Sequence, residues 1–579
     1  MYDPEEWLKE RQYTPQQLAA AQEVLEAVQQ GAELRNAVHR HPLPGGGYIP
    51  KHLLVAAYNR LVESGEWDED PALLARIRMK PMRTLSGVTT VTALTKPYPC
   101  PGECIFCPDD VRMPKSYLPD EPGAARGIQN EFDPYRQVRS RLESYVAVGH
   151  PTDKIELLIL GGTWSAYPRR YQEEFVRRCL DAMNEVDSQT LEEAQSRNET
   201  APHRNVGLVV ETRPDRITLE ELAWLRWLGV TKVQMGAQSL DDEILGLNRR
   251  GHTAAQTLQA TALLRAAGFK VVLHWMPNLL GATLESDRAD FARLWQGYCP
   301  DEIKIYPTQL LEGTELHAHW QRGEYHPYTT QDLVSLIADL KPTIPPYCRV
   351  NRVIRDIPST HVVAGNKRTS LRQDVLAEVA RRGQACPCIR CREIHGQPVD
   401  PDALRLEDLA YPAGGLGMLS QEHFLSFVTP QGRLAGYLRL SLPASDPRTF
   451  VPSSQVVSTL EGGEGALQKP LAMTGKWPPQ GSALQSQQGE VDALLGDLPG
   501  AALVREVHIY GQSLPLGAEQ SGAAQHSGLG RRLLQEAERI ARREGFETLA
   551  VISAIGTRRY YEGRGFERGN LYMINRLDR

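Results

Sequence analysis

Between Val88 and Thr308, short β-branched runs alternate with helical stretches, and no other property of the chain limits its fold so tightly. The runs are VTTVTAL from Val88, IELLILGG from Ile155, VGLVVETRP from Val206, KVQMGAQS from Lys232, KVVLHWMP from Lys270 and EIKIYPT from Glu302. Polar, Gly or Pro residues close each run, and helix-forming stretches such as residues 219–228 and 254–267 follow. Repeated units of one strand and one helix predict an α/β fold built on a parallel barrel or partial barrel. Its reactive groups belong at the C-terminal strand ends.

A chain of 579 residues is too long for one ordinary core, so further domains are expected on both sides. Residues 1–75 read as a helical extension. Thr14 can cap a helix begun by Pro15, Leu18, Leu25 and Val28 share a stripe, and Gly31 ends it; a second helix is expected from Lys51 to Glu63. The barrel is assigned to 76–345, a basic cysteine-containing connector to 346–400, and an α/β domain to 401–579. In that last domain HFLSFVTPQGRLAGYLRLSL reads as two antiparallel strands turning at Gln431 and Gly432. Residues 444–500, rich in Gly, Pro, Ser and Gln, read as a flexible insertion within it.

The formal charge of -6 speaks against a surface coated overall in nucleic-acid-binding charge, but it permits a local basic face. Arg76, Arg78, Lys80, Arg83 and Lys96 lie in a stretch without acidic residues, which makes it the best candidate patch. No apolar run approaches the roughly 20 residues a spanning helix needs. The start, MYDPEEWLKERQ, lacks both a basic leader and an apolar signal core, so a cytoplasmic chain without a membrane partner is expected.

Cys100, Cys104 and Cys107 directly follow the first strand. Three thiolates at this spacing can hold three irons of a 4Fe-4S cluster and leave one iron open. That iron can chelate the amino and carboxylate groups of S-adenosylmethionine, whose one-electron cleavage gives a 5'-deoxyadenosyl radical. A zinc loop or reduced structural thiols are the bland readings. Gly161, Gly162 and Thr163 end the next strand, where glycines let backbone approach a small ligand. Glu211, Arg213, Gln238 and His274 fall at later strand ends around the same mouth and complete the candidate S-adenosylmethionine site.

In order, RTLSGVTTVTALTKPYPCPGECIFCP, LGGT, ETRPD, GAQSLDDE, NRRGHT, HWMP and KIYPT resemble the catalytic subunit of the Elongator complex, over most of residues 72–395 and again from Arg505 onward. The N-terminal helices fit the bacterial single-protein members, which implies action without other Elongator subunits. Eukaryotic members space their first two cluster cysteines further apart, and the insertion at 444–500 departs from the family.

The loop Gln525-His-Ser-Gly528-Leu529-Gly530-Arg531 opens a helix and exposes backbone N–H groups suited to a pyrophosphate. Dinucleotide binding competes with acetyl-coenzyme A for this motif. The strand before the loop, TLAVISAI after it, and Tyr560 and Tyr561 resemble an acetyltransferase of the GNAT class. The family resemblance implies acetyl-coenzyme A contacts at Glu506, Val507, His508, Ile509, Leu529, Gly530, Arg531 and Tyr561, and at Lys154 from the barrel. It makes Tyr561, Tyr560 and Lys154 the candidate catalytic residues.

Cys386, Cys388 and Cys391, with His395 as a candidate fourth ligand, can close a tetrahedral zinc site that steadies the connector; a second iron-sulfur cluster is the alternative. Arg390 and Arg392 beside it suit RNA phosphates.

The resemblance implies a tRNA-modifying enzyme. Its radical takes hydrogen from the methyl group of acetyl-coenzyme A, the carbon radical adds to carbon 5 of the wobble uridine, and release of coenzyme A by thioester hydrolysis leaves 5-carboxymethyluridine. The partners expected are a tRNA anticodon stem-loop and a separate electron donor. Two other readings compete: a protein lysine acetyltransferase with the radical domain as scaffold and Glu506 or Glu519 as base, and a tRNA-binding scaffold with a decayed site.

Overall fold

In the computed structural model the β-branched runs become parallel strands: β1 (Thr89–Leu94), β2 (Lys154–Leu160), β3 (Arg204–Thr212), β4 (Lys232–Gln238), β5 (Lys270–Trp275), β6 (Glu302–Ile305) and β7 (Arg349–Arg352). Each pairs with the next in chain order, giving an open half barrel. The structure describes residues 12–80, 84, 86–415, 418–444, 491–492, 496–510 and 528–577. Arg83, Glu519, Gln525 and most of the expected insertion lie outside them. Strand follows strand because a right-handed helical crossover returns the chain to the same end and sets the new strand beside the last.

Threonines start the returning helices. Thr218 accepts from Glu221 N–H, and Thr253 and Gln256 form a capping box, so each loop ends at a fixed point. Along β2 the pleat divides the side chains: Ile155, Leu157 and Ile159 are buried in the core, while Lys154, Glu156, Leu158 and Leu160 line a cavity. β7 falls in the stretch assigned from sequence to the connector, and it pairs with β6 through Glu302↔Arg349 and Ile303↔Val350.

The second sheet is mixed. It holds β8 (Arg405–Gly415), β9 (Met418–Val428), β10 (Leu434–Pro443), β11 (Ala501–Ile509), β12 (Thr548–Val551), β13 (Glu567–Arg568) and β14 (Met573–Arg576) in the order β13-β14-β12-β11-β10-β9-β8. Neighbours from β8 to β11 are antiparallel; β11 and β12 are parallel and joined through helix Leu529–Arg543, which buries Leu529, Leu533, Ala537 and Ile540. The TLAVISAI run is strand only to Val551, because the chain turns into a 3-10 segment at Ile555–Thr557.

The N-terminal helices Pro15–Gln29 and Lys51–Glu63 begin as the sequence suggests, with Thr14 and Gln17 forming a capping box on the first. They close on a core of their own, including Val24, Leu25, Leu54, Leu61 and Ile77. The two sheets instead share one continuous apolar core, from Val91 to Leu577.

Buried ions cross between the sheets. Asp301, just before β6, accepts from both terminal nitrogens of Arg505 at 2.6–3.1 Å, pairs with Arg439 Nη1 at 3.3 Å and takes the Val271 N–H at 2.9 Å. Lys270 Nζ and Arg439 Nε reach Glu506 at 2.8 and 2.9 Å, and Arg226 donates to the Ser553 carbonyl at 2.7 Å. Among the described residues no helix is long and apolar enough to cross a membrane.

Candidate functional site

A cavity of about 1450 Å³ follows the inner face of the half barrel from the C-terminal strand ends to β11 of the second sheet. Cys100, Cys104 and Cys107 lie at one end; Glu506, His508, Tyr560 and Tyr561 lie at the other. The sequence placed two sites on separate domains, and the fold opens them onto the same space.

At the cysteine end, Thr163 Oγ1 lies 3.5 Å from Cys100 Sγ, the Gly102 N–H points at the same sulfur at 3.4 Å, and Arg250 Nη1 donates to Cys104 Sγ at 3.0 Å. Burial pushes the Cys107 thiol up to about 12, with neighbouring Cys104 adding to the shift and Arg355 opposing it. Such a thiol needs a metal to ionise at neutral pH. The three sulfurs do not gather within 4.8 Å of one another, whereas those of Cys386, Cys388 and Cys391 do. One tetrahedral zinc holds its thiolates about 3.8 Å apart, from its bond length of about 2.3 Å. The tight set therefore suits a single ion, and the wider set does not.

Gly161 and Gly162 turn the chain after β2. Gly161 has φ +127°, and a Cβ there would meet Thr95 Oγ1 at 2.0 Å; that hydroxyl donates to the Gly161 carbonyl at 3.1 Å. Gly162, Thr163, Glu211, Arg213, Gln238 and His274 line the cavity around the cysteine loop. His274 is kept neutral: burial first, then Lys304, Arg355 and Arg250, push its pKa well below the ordinary value. In that form Nε2–H donates to Gln234 Oε1 at 3.0 Å, and Nδ1 lies 3.7 Å from Glu211.

Midway along the wall, Lys232 reaches Glu156 at 2.6 Å and Glu302 at 3.3 Å, and Asn351 donates to Glu302 at 2.6 Å. Sequence reasoning missed this ladder. Strand-initial charged residues look like solvated ends until the second sheet covers them.

At the far end the β11–β12 ladder stops at Val504↔Val551, and β11 continues into the cavity wall through Glu506, Val507, His508 and Ile509. Against the push of burial, Lys270 and Arg439 hold the Glu506 carboxyl well below the usual carboxylate range. His508 is pulled down to about 4, by burial more than by any charge. Lys154 also lines the cavity, and burial lowers its ammonium against the opposing charge of Asp153. Gly528 is the N-cap of helix Leu529–Arg543, followed by Leu529, Gly530 and exposed Arg531. A Cβ on Gly530 would lie 2.8 Å from the Tyr560 hydroxyl, so this helix start and the tyrosine pair are built against each other. Tyr560 and Tyr561 meet edge to face at 5.2 Å.

Several expectations need correction. His395 does not gather with the second cysteine set; its backbone is left-handed at φ 48°, and its ring is exposed, 3.3 Å from Glu393 and on the cavity wall. What approaches those thiols is Lys341, fully buried, whose Nζ has no hydrogen-bond partner. The Cys386 and Cys391 thiols, with the Lys341 charge, lower the Cys388 thiol below its usual range.

Three of the expected RNA-binding arginines are tied to backbone carbonyls, Arg78 and Arg392 half-buried and Arg76 at the exposed surface. Arg76 donates to the Val28 and Ala32 carbonyls, Arg78 to those of Gly149 and the Thr84 hydroxyl, and Arg392 to those of Pro387 and Pro346. Short connector segments have unpaired carbonyls, and a five-donor guanidinium satisfies them. Lys80 and Lys96 remain exposed, and Arg390 lines the cavity while donating to the Asn351 carbonyl.

Residues 98–294 match the radical SAM superfamily and residues 300–381 the radical SAM C-terminal domain. The chain is 42% identical over 504 residues to the tRNA uridine(34) acetyltransferase of Dehalococcoides mccartyi, covering 86% of this chain and 99% of that protein. It is 33% identical to human Elongator complex protein 3, with 87% of each chain covered. The archaeal Methanocaldococcus infernus Elp3, solved with an N-terminal deletion, superposes with a TM-score of 0.66 at 35% identity, over 85% of this chain and 99% of that one.

Proposed function

Because the chain belongs to the family of the tRNA uridine(34) acetyltransferases and Elongator complex protein 3, we propose that it makes 5-carboxymethyluridine at the tRNA wobble position from acetyl-coenzyme A by radical S-adenosylmethionine chemistry. The observation that carries the reading is the single cavity reaching from the Cys100–Cys107 loop to Tyr561. Two reagents that must meet at one uridine ring require such a space.

When bound, the cluster and S-adenosylmethionine supply the radical that activates the acetyl methyl group for attachment to carbon 5. The chain's own residues position and exclude. Cys100, Cys104 and Cys107 would hold the cluster, while Gly161, Gly162, Thr163, Glu211, Arg213, Gln238 and neutral His274 would hold the sulfonium ligand.

We read the second sheet as a GNAT-type acetyltransferase domain. Three features support this: the parallel β11–helix–β12 unit, the β11 edge left open where β12 ends, and the tyrosine pair at the helix start. In such an arrangement the amides of residues 506–509 pair with the pantetheine arm, Gly528 to Arg531 face the pyrophosphate, and Tyr561 and Lys154 meet the thioester. Cys386, Cys388 and Cys391 would hold one zinc, with Lys341 balancing the thiolate charge. Arg76, Lys80, Lys96 and Arg390 are the basic groups left to meet an anticodon stem-loop, and the electron comes from a separate donor.

A protein lysine acetyltransferase would need a base at this end. Glu506 is tied to Lys270, Arg439 and the Tyr437 hydroxyl, and a carboxylate held that low is a weak proton acceptor. Anaerobic incubation with tRNA, acetyl-coenzyme A, S-adenosylmethionine and reductant, followed by nucleoside mass spectrometry, tests the proposal. The intact protein should yield carboxymethyluridine, and Cys104→Ser should yield none while binding tRNA as before. Product from Cys104→Ser would overturn the radical step.

A further inference from the structure

Two buried guanidinium groups lie under the first cysteine loop, each 6% exposed, and they have different partners. Arg213 is balanced: its Nε donates to Asp215 Oδ1 at 2.8 Å and its Nη2 to the Arg250 carbonyl at 2.6 Å. A Cβ on Gly102 would meet Arg213 Nη1 at 2.3 Å, so the loop rests directly on this side chain. Arg250 has no such balance. Among the described residues no carboxylate pairs with it, its Nε is buried without a hydrogen-bond partner, and its Nη2 donates to the Gly236 carbonyl. Its remaining polar contact is the 3.0 Å hydrogen bond from Nη1 to Cys104 Sγ.

A buried guanidinium without a counter-charge is costly, and one held by surrounding structure keeps its charge where the fold puts it. Arg213 does the holding here, through its bond to the Arg250 carbonyl. The potential of an iron-sulfur cluster depends on its net charge, its burial and the hydrogen bonds to its sulfurs. Both a fixed positive charge and an N–H bond to a ligand sulfur favour the state carrying one more electron, and burial strengthens both effects.

We propose that Arg250 is the residue that sets the reduction potential of the cluster held by Cys100, Cys104 and Cys107, raising it so that a one-electron protein donor can reduce it. Arg213 is the positioning residue that holds Arg250 in place. The inference rests on reading that loop as the cluster site. One electron leaves the donor and one is gained at the cluster, so no further oxidant or reductant is needed.

The test is a redox titration of anaerobically reconstituted full-length protein followed by electron paramagnetic resonance, with iron and sulfide measured on each sample. Arg250→Gln removes the charge and should lower the reduced-to-oxidised ratio at a fixed poise about tenfold, which is about 59 mV for one electron. Arg250→Lys keeps the charge but loses the fork, and should lower that ratio about threefold. Arg249→Gln is the control: the neighbouring Arg249 is exposed and pairs with Glu315 at 2.7 Å, and its loss should leave the titration unchanged. An Arg250→Gln protein with full iron content that titrates like the wild type overturns the proposal. Should Arg250→Gln fail to retain iron, Arg250→Lys decides, and a titration identical to the wild type overturns the proposal equally. A failure of the cluster reading itself looks different, since the unaltered protein would then show no four-iron signal.

Discussion

Replacing Asp301 by Asn removes one negative charge from the centre of the contact between the sheets. Asp301 and Arg505 are both fully buried, Arg439 and Arg265 nearly so, and the carboxylate holds Arg505 through both terminal nitrogens. Against the push of burial, Arg505, Arg439 and Arg265 hold its carboxyl below the ordinary value, so the charged form belongs to the folded state. Breaking a buried pair from one side costs about 3–5 kcal/mol, because the partner charge stays behind. Glu506 and Glu422 still neutralise part of the arginine charge, through Arg439 Nε at 2.9 Å and Arg265 Nη1 at 3.4 Å, which favours the lower end of that range. For a unit of 150–250 residues each kcal/mol moves the melting midpoint by about 2–4 °C. Asp301→Asn should therefore lower the midpoint of the second sheet by at least about 6 °C in scanning calorimetry. Asp301→Asn with Arg505→Gln should lose less than the two single changes summed. A shift under 2 °C, or strict additivity, would show that these ions are bystanders and that the shared apolar core alone joins the sheets.

The pH dependence of His252 can be isolated by difference. Burial, then Arg250 and Arg213, pull it down to about 3, so it folds neutral. Its stabilising contribution is complete above the unfolded pKa of about 6.5 and is lost as pH falls, by about 2 kcal/mol at pH 5. Glu221 and Asp287, raised to about 7 by burial, act in the opposite direction over the same range. The readout is therefore the stability of His252→Gln relative to wild type, which should improve by about 2 kcal/mol between pH 7.5 and pH 5; an unchanged difference refutes the neutral assignment. Gly161→Ala forces a left-handed residue and a 2.0 Å approach to Thr95 Oγ1, and should cost about 2 kcal/mol or more. Calorimetric titration with S-adenosylmethionine should then show at least tenfold weaker binding, and wild-type affinity would remove the loop from that site. Metal analysis should find one zinc per chain beyond the four irons, lost in Cys388→Ser with the iron retained; iron at both sites would reverse the assignment.

The half barrel was legible because its first six strands are β-branched, apolar-rich runs closed by breakers and followed by helical stretches, the pattern of repeated strand-helix units. β7 was not. Arg349–Arg352 has only Val350 as an apolar residue, and pairing with β6 makes it a strand where propensity does not. The cysteine loops were legible by spacing alone, since ligand chemistry fixes spacing. Direction was hidden: the sequence displays the charge of Arg76, Arg78 and Arg392 but not the carbonyls they bind. Arg250 and Lys341 were hidden for the converse reason, because each lies far along the chain from the cysteines it approaches. Within NRRGHT nothing distinguishes Arg250, which turns inward, from exposed Arg249.

The continuity of the cavity also bears on inhibition. On the proposed reading two ligands share one chamber, and one molecule can mimic both. A nucleoside joined by a short tether to a pantetheine arm would reach from the barrel mouth to the β11 edge without crossing solvent. Each half would raise the local concentration of the other, so such a hybrid should displace both proposed ligands together and bind far more tightly than either fragment.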